Sequence, residues 1–95
     1  MRSYEMVLIL NPELAAEEVE AMQTKVTDII AQNGGEFTEY DVWGKRRLAY
    51  EIKDCREGIY ILAYFKGATE TVKELDRVLK IQDSVLRHMI IRKDE

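Results

Sequence analysis

The side chains in this sequence whose type and grouping suit a definite chemistry are its arginines and lysines. Lys45, Arg46 and Arg47 stand in a row, Arg2 lies beside Tyr4, and Arg87, Arg92 and Lys93 cluster near the end. A guanidinium is a planar fork that binds phosphate through two hydrogen bonds and stacks on a base. These clusters are therefore candidate RNA contacts. Each also reads as a solvated guard on a sheet edge, where charge blocks strand-to-strand aggregation. For Lys45-Arg46-Arg47 the two readings weigh equally.

Catalytic chemistry finds less support. His88 is the single histidine and lies in an apolar stretch without a matching nucleophile pattern. A packed or half-exposed strand histidine is the better reading. Cys55 is the single cysteine, so no intramolecular disulfide and no cysteine–histidine zinc set is expected. Gly34-Gly35 follows a helical pattern, whereas a phosphate loop follows a strand. No enzyme activity, metal or cofactor is expected.

Periodicity supplies the elements that must position these groups. Residues 3–10 read as a strand with Tyr4, Met6, Leu8 and Leu10 on one face and Glu5, Val7 and Ile9 on the other. Residues 13–33 read as a helix with Val19, Met22, Val26, Ile29 and Ile30 as its stripe. Asn11 is its expected cap, and Asn33-Gly34-Gly35 its stop. Residues 36–52 form a long strand that Gly44 interrupts with a bulge. Residues 53–58 are expected to turn, and 59–66 to form a central strand. Residues 69–80 read as a second helix capped by Thr69 or Thr71, and 85–92 as a last strand.

The order β-α-β-β-α-β predicts an α+β, ferredoxin-like sandwich: a four-stranded antiparallel sheet with two helices on one face. The chain of 95 residues makes one such domain, residues 1–95. The first and third strands should be central, leaving one sheet face open. That face is expected to carry Val7, Ile9, Tyr60, Leu62 and Tyr64. Exposed apolar area of this kind marks a partner surface or a base-stacking platform, and the partner surface is the favoured reading. Neighbouring first and last strands would bring Arg2, Arg87 and Arg92 into one region. Arg56-Glu57-Gly58-Ile59-Tyr60 only faintly matches an RNA-recognition signature.

Net charge is −4, so RNA binding here needs local positive patches or a basic partner. No apolar run approaches the roughly 18 residues of a membrane span, and no signal-peptide pattern opens the chain. A cytoplasmic location is expected.

Three segments also carry a family resemblance. Met1-Arg2-Ser3-Tyr4-Glu5 with Leu10-Asn11-Pro12, then Arg46-Arg47-Leu48-Ala49-Tyr50, then Ile81-Gln82-Asp83-Ser84-Val85 with Arg87 and Met89 resemble, in order and spacing, the bacterial small-subunit ribosomal protein six family. Glu51 departs from it, standing where that family often has proline. The resemblance implies the ferredoxin-like fold, no catalysis, and a place on the platform of the small subunit. It implies binding to small-subunit ribosomal RNA as a heterodimer with the basic small-subunit ribosomal protein eighteen, the free protein being monomeric. It makes Arg2, Tyr4, Arg87, Arg92 and Lys93 candidate RNA contacts. It makes Lys45, Arg46, Arg47, Leu48, Tyr50, Tyr60 and Leu62 candidate partner contacts. The alternative from another class is a ferredoxin-like regulatory domain that homodimerises through its open face and senses a small ligand. An acylphosphatase-like enzyme is a distant third, since Asn11-Pro12-Glu13 stands where its phosphate loop would be.

Overall fold

The computed structural model describes residues 1–93. Six elements follow in the order β1 (Arg2–Leu10), α1 (Ala16–Gln32), β2 (Glu36–Ile52), β3 (Cys55–Gly67), α2 (Thr69–Lys80) and β4 (Val85–Arg92). The strands form one antiparallel sheet in the order β2-β3-β1-β4. This is the ferredoxin-like α+β architecture, with β1 and β3 central as the alternation predicts.

Strand alternation and helix periodicity meet in one core. Met6, Leu8, Leu10, Ile61, Ala63 and Phe65 point from the central strands toward the helices and are at most 1% exposed. Met22, Val26, Ile29 and Ile30 answer from α1, and Leu75 and Leu79 from α2. Tyr4 also joins this layer, its ring stacked on Phe65 at 5.4 Å.

The start of α1 departs from expectation. The Asn11 carboxamide oxygen accepts the Glu13 N–H at 2.9 Å, and the Leu14 N–H reaches the Asn11 carbonyl at 3.2 Å. Pro12 presets that turn, so the helix starts three residues later, at Ala16. Its cap residue is Ala15, which has no side-chain acceptor; the Glu18 carboxylate compensates by accepting the Ala15 N–H at 2.8 Å. The far end follows the expected pattern. Gly34 has φ +80°, Gly35 N–H reaches the Ile30 carbonyl at 2.8 Å, and Gly34 N–H the Ala31 carbonyl at 3.4 Å. This is a Schellman stop.

At α2 the cap residue is Ala68, and of the two expected threonines Thr71 assists it. Its hydroxyl accepts the Ala68 N–H at 3.1 Å and donates to the Asn33 carbonyl at 2.8 Å. Thr71 is fully buried, so these bonds are what make a polar group tolerable there. They also tie the start of α2 to the end of α1.

The turn between β2 and β3 is shorter than the expected 53–58. Lys53 and Asp54 alone make it, with φ of +49° and +65°. Two left-handed residues form the hairpin turn whose twist matches its flanking strands. Asparagine and glycine usually occupy such positions, which is why the sequence conceals it. Cys55 therefore opens β3, paired with Ile52. The bulge expected at Gly44 is present, at φ +81°. Because β1 pairs with β3 only as far as Leu10 opposite Ile59, residues 46–58 project beyond the sheet as a two-stranded arm.

Candidate functional site

The helices cover one sheet face. Register assigns the residues of the other. Val7 lies between Leu62 and Met89, and Ile9 between Tyr60 and Arg87. Val7, Ile9, Tyr60, Met89 and Arg87 wall a cleft of about 190 Å³. Next to it the Trp43 indole stacks on Tyr60, ring centres 6.4 Å apart and planes within 13°. Trp43 on the edge strand β2 and Met89 on the edge strand β4 are 46% and 43% exposed, large values for such apolar side chains. Ile91 extends the patch along β4.

The arm bends toward the start of β4. The Lys53 ammonium donates to the Val85 carbonyl at 3.1 Å, and the Arg87 guanidinium donates to the Tyr50 hydroxyl at 3.0 Å. Arg46 pairs opposite Gly58, on the open-face side, and Arg47 opposite Glu57. Arg56 stands 4.0 Å from Glu51, with both exposed. Exposed pairs of this kind add little stability. The arm thus presents cations to solvent next to an apolar cleft.

The opposite end of the face is acidic. Glu5 and Glu39 lie opposite Tyr64, and Asp41 opposite Leu62. Asp41 accepts the Trp43 indole N–H at 3.1 Å, and Lys93 lies 3.7 Å from Glu5. The Tyr64 phenol is held above its usual range, first by desolvation and then by its hydrogen bond to Glu5 and the surrounding carboxylates.

The positions of the arginines correct one expectation. Arg92 lies opposite Tyr4, while Arg87 lies opposite Ile9. Arg2 and Ile9 are seven residues apart, so Arg87 is roughly 23 Å along the strand from Arg2. Arg87 also belongs to the open face and Arg92 to the parity of the helix face. Arg2 and Arg92 share one end with Lys93; Arg87 is separate and sits among the candidate partner residues. Strand adjacency was right, but adjacency sets neither position along a strand nor face.

Tyr4 is a second correction. At 9% exposure and stacked on Phe65, its ring is core and is not offered to a base. Leu62 lies on the open face as expected, but neighbours cover it to 8% exposure. Tyr50 is exposed, Leu48 and Tyr60 are half-buried, and Lys45, Arg46 and Arg47 are exposed. Sequence reasoning missed Trp43, Met89 and Ile91. The alternation 87, 89, 91 along β4 carried a signal for two of them. Trp43 sits at the bulge before Gly44, where alternation fails.

His88 faces the helices, its Nε2 2.7 Å from an Asp76 carboxylate oxygen, and fastens β4 to α2. Tyr40 does the same for β2 and α1: its hydroxyl donates to the Gln23 carbonyl at 2.5 Å and meets the Thr27 hydroxyl at 3.0 Å. Burial pushes the Tyr40 phenol above its usual range; the Thr27 bond opposes this and the Asp28 charge adds to it. Below a pH of about 10 the phenol is protonated in both folded and unfolded chains. Above it the unfolded chain loses its proton first, so stability falls as pH rises through the raised folded value. Urea midpoints at about pH 8 and about pH 11 should therefore differ less for Tyr40→Phe than for the parent. Equal alkaline losses would mean Tyr40 takes no part. Tyr64 supplies a remaining fall of the same sign.

Comparison with known proteins places this geometry in context. The family model described as ribosomal protein S6 matches residues 3–92. The small ribosomal subunit protein bS6 of Carboxydothermus hydrogenoformans is 52% identical over 95 residues, covering 100% of this chain and 99% of the relative. That of Syntrophomonas wolfei is 55% identical over 96 residues, with the same two coverages. Among solved structures, the crystal structure of 30S ribosomal protein S6 from Thermotoga maritima superposes with a TM-score of 0.90 at 30% identity, covering 97% of this chain and 87% of that one. The C-terminal domain of the MgtC protein from Mycobacterium tuberculosis shares the fold alone, with a TM-score of 0.63 at 15% identity.

Proposed function

The chain belongs to the ribosomal protein S6 family, and from that premise we propose that it is a structural component of the small ribosomal subunit that joins small-subunit ribosomal RNA as one half of a protein pair. The proposed partner is the basic small-subunit ribosomal protein eighteen, and the proposed setting is the cytoplasmic ribosome. The observation that carries this reading is the open sheet face. An exposed apolar cleft with a stacked tryptophan is a protein-binding surface, and its cationic arm stands where a joined surface would continue onto RNA.

Charge explains why two proteins are needed. A chain of net charge −4 is repelled by RNA at long range. A basic partner on the open face reverses that sign and leaves the exposed cations to hold phosphates. Arg2, Arg92 and Lys93 are the proposed RNA contacts at one end. Lys45, Arg46, Arg47, Leu48, Tyr50 and Tyr60 are the proposed partner contacts, and Leu62, covered to 8% exposure, supports that face without being offered on it. No step of this role needs catalysis; the protein works by adding shape and charge to a folded RNA.

A gel-shift titration on a platform fragment of the ribosomal RNA tests it. This protein alone, protein eighteen alone, and the two mixed are compared at fixed salt. The mixture should bind at least about tenfold more tightly than either protein alone, or about 1.4 kcal/mol. If the mixture binds no better while this protein alone forms a homodimer, the reading fails and the ligand-sensing regulatory domain replaces it.

A further inference from the structure

Resting on the reading of the open face as a protein interface, we infer that this face accepts its partner segment in one direction only: an apolar side chain in the cleft of Val7, Ile9, Tyr60 and Met89, a carboxylate on Arg87, and cationic side chains over Glu5, Glu39 and Asp41.

The cleft comes first. Apolar cavities of about 150 Å³ hold a benzene-sized group, and this one, at about 190 Å³, takes one large apolar side chain. Its mouth is not neutral. Arg87 lies on its wall, exposed, with one N–H bonded to the Tyr50 hydroxyl at 3.0 Å. Among the described residues no carboxylate stands within salt-bridge distance of it. A guanidinium has five donors in a rigid fork, and Tyr50 holds this one in place while leaving other donors available. A carboxylate following the apolar anchor meets a preset bidentate partner.

The far end has the opposite sign. Tyr64 and Tyr60 are four residues apart on β3, so the acidic corner lies roughly 13 Å along the strands from the level of Arg87. Lys93 stands 3.7 Å from Glu5, and Lys66 pairs opposite Glu36. Glu39 and Asp41 repel phosphate, which argues for a polypeptide and against RNA directly over these two carboxylates. A segment entering backwards would set its cation against Arg87 and its carboxylate against Glu39 and Asp41. Like-charge contact of this kind rejects the wrong alignment. The same geometry assigns Arg87 to the protein partner, where the sequence had suggested RNA.

Calorimetric titration of the full-length protein with protein eighteen, without RNA, tests the inference. Arg87→Glu and the double variant Glu39→Lys, Asp41→Lys should each weaken binding at least about tenfold, and Arg87→Lys should lose less than Arg87→Glu. Far-ultraviolet circular dichroism checks that each variant is folded, and the single variant Glu39→Lys replaces the double if it is not. Wild-type affinity in every variant overturns the inference and leaves the functional reading standing. An Arg87→Glu protein that binds the partner normally, but whose complex binds RNA weakly, returns Arg87 to RNA and also overturns it. A wild-type protein that never binds protein eighteen removes the functional reading itself. A wild-type dimer dissolved by Arg87→Glu puts a second copy on this face and overturns the proposed occupant.

Discussion

Phe65→Ala should destabilise the free protein by about 3–5 kcal/mol. Phe65 is 1% exposed, sits on a central strand between Tyr4 and Phe37, and stacks on the Tyr4 ring. Removing it loses transfer energy and leaves a void that the sheet cannot close, because its neighbours are held by ladder bonds on both sides. Domains of this size have only about 5–15 kcal/mol in total, so the urea midpoint should drop sharply or the chain should fail to fold. Trp43→Ala is the contrast. Trp43 is larger, but 46% exposed on the open face, and its loss should leave the midpoint nearly unchanged while weakening partner binding. If both variants lost equal stability, the open face would be a second core and not a surface.

Gly58→Ala should cost about 1–3 kcal/mol by overpacking and should also weaken partner binding. A Cβ at Gly58 would stand 2.4 Å from Cγ2 of Ile9 and 3.4 Å from the Leu10 carbonyl oxygen. Ile9 is β-branched, with few rotamers to retreat into, and is itself 7% exposed. The side chain that must move therefore belongs to the cleft. Relief comes by lifting the arm from the end of β1, which pulls Tyr50 from Arg87. Urea denaturation reads the first effect and partner titration the second. Full stability with unchanged binding would show that Ile9 yields freely and that the arm is not positioned by this contact.

The role of Gly58 illustrates what the sequence conceals. No periodicity in Arg56-Glu57-Gly58 announces that Ile9, almost fifty positions earlier, will lie against it. The contact exists because β1 and β3 pair in one register. Register is a property of two strands together, so it is written in neither strand alone.

Much else was local and therefore legible. The bounds of β2, α2 and β4, the bulge at Gly44 and the Schellman stop at Gly34 all follow from side-chain periodicity and backbone freedom within a few residues. The alternation of β1 and β3 assigned their faces correctly, since burying one face and wetting the other is a pattern of period two. Strand order followed from the handedness of the crossovers. Errors arose where one local signal competed with another. Asn11 has the side chain of a cap, but Pro12 built a turn around it. Lys53 and Asp54 are not the usual residues for a left-handed pair, so the hairpin read as a longer turn.

By itself the sequence determined the ferredoxin-like fold, the residues of the core, the family and the list of cations able to hold phosphate. Tertiary structure alone decided how those cations are grouped. It put Arg2 and Arg92 at one end, carried Arg87 to the other face beside Tyr50, and sank the Tyr4 ring into the core. The physical reason is that helices, stops and strand faces are set by neighbours in the chain, whereas a binding surface is set by register, bulges and the bend of an arm across distant strands.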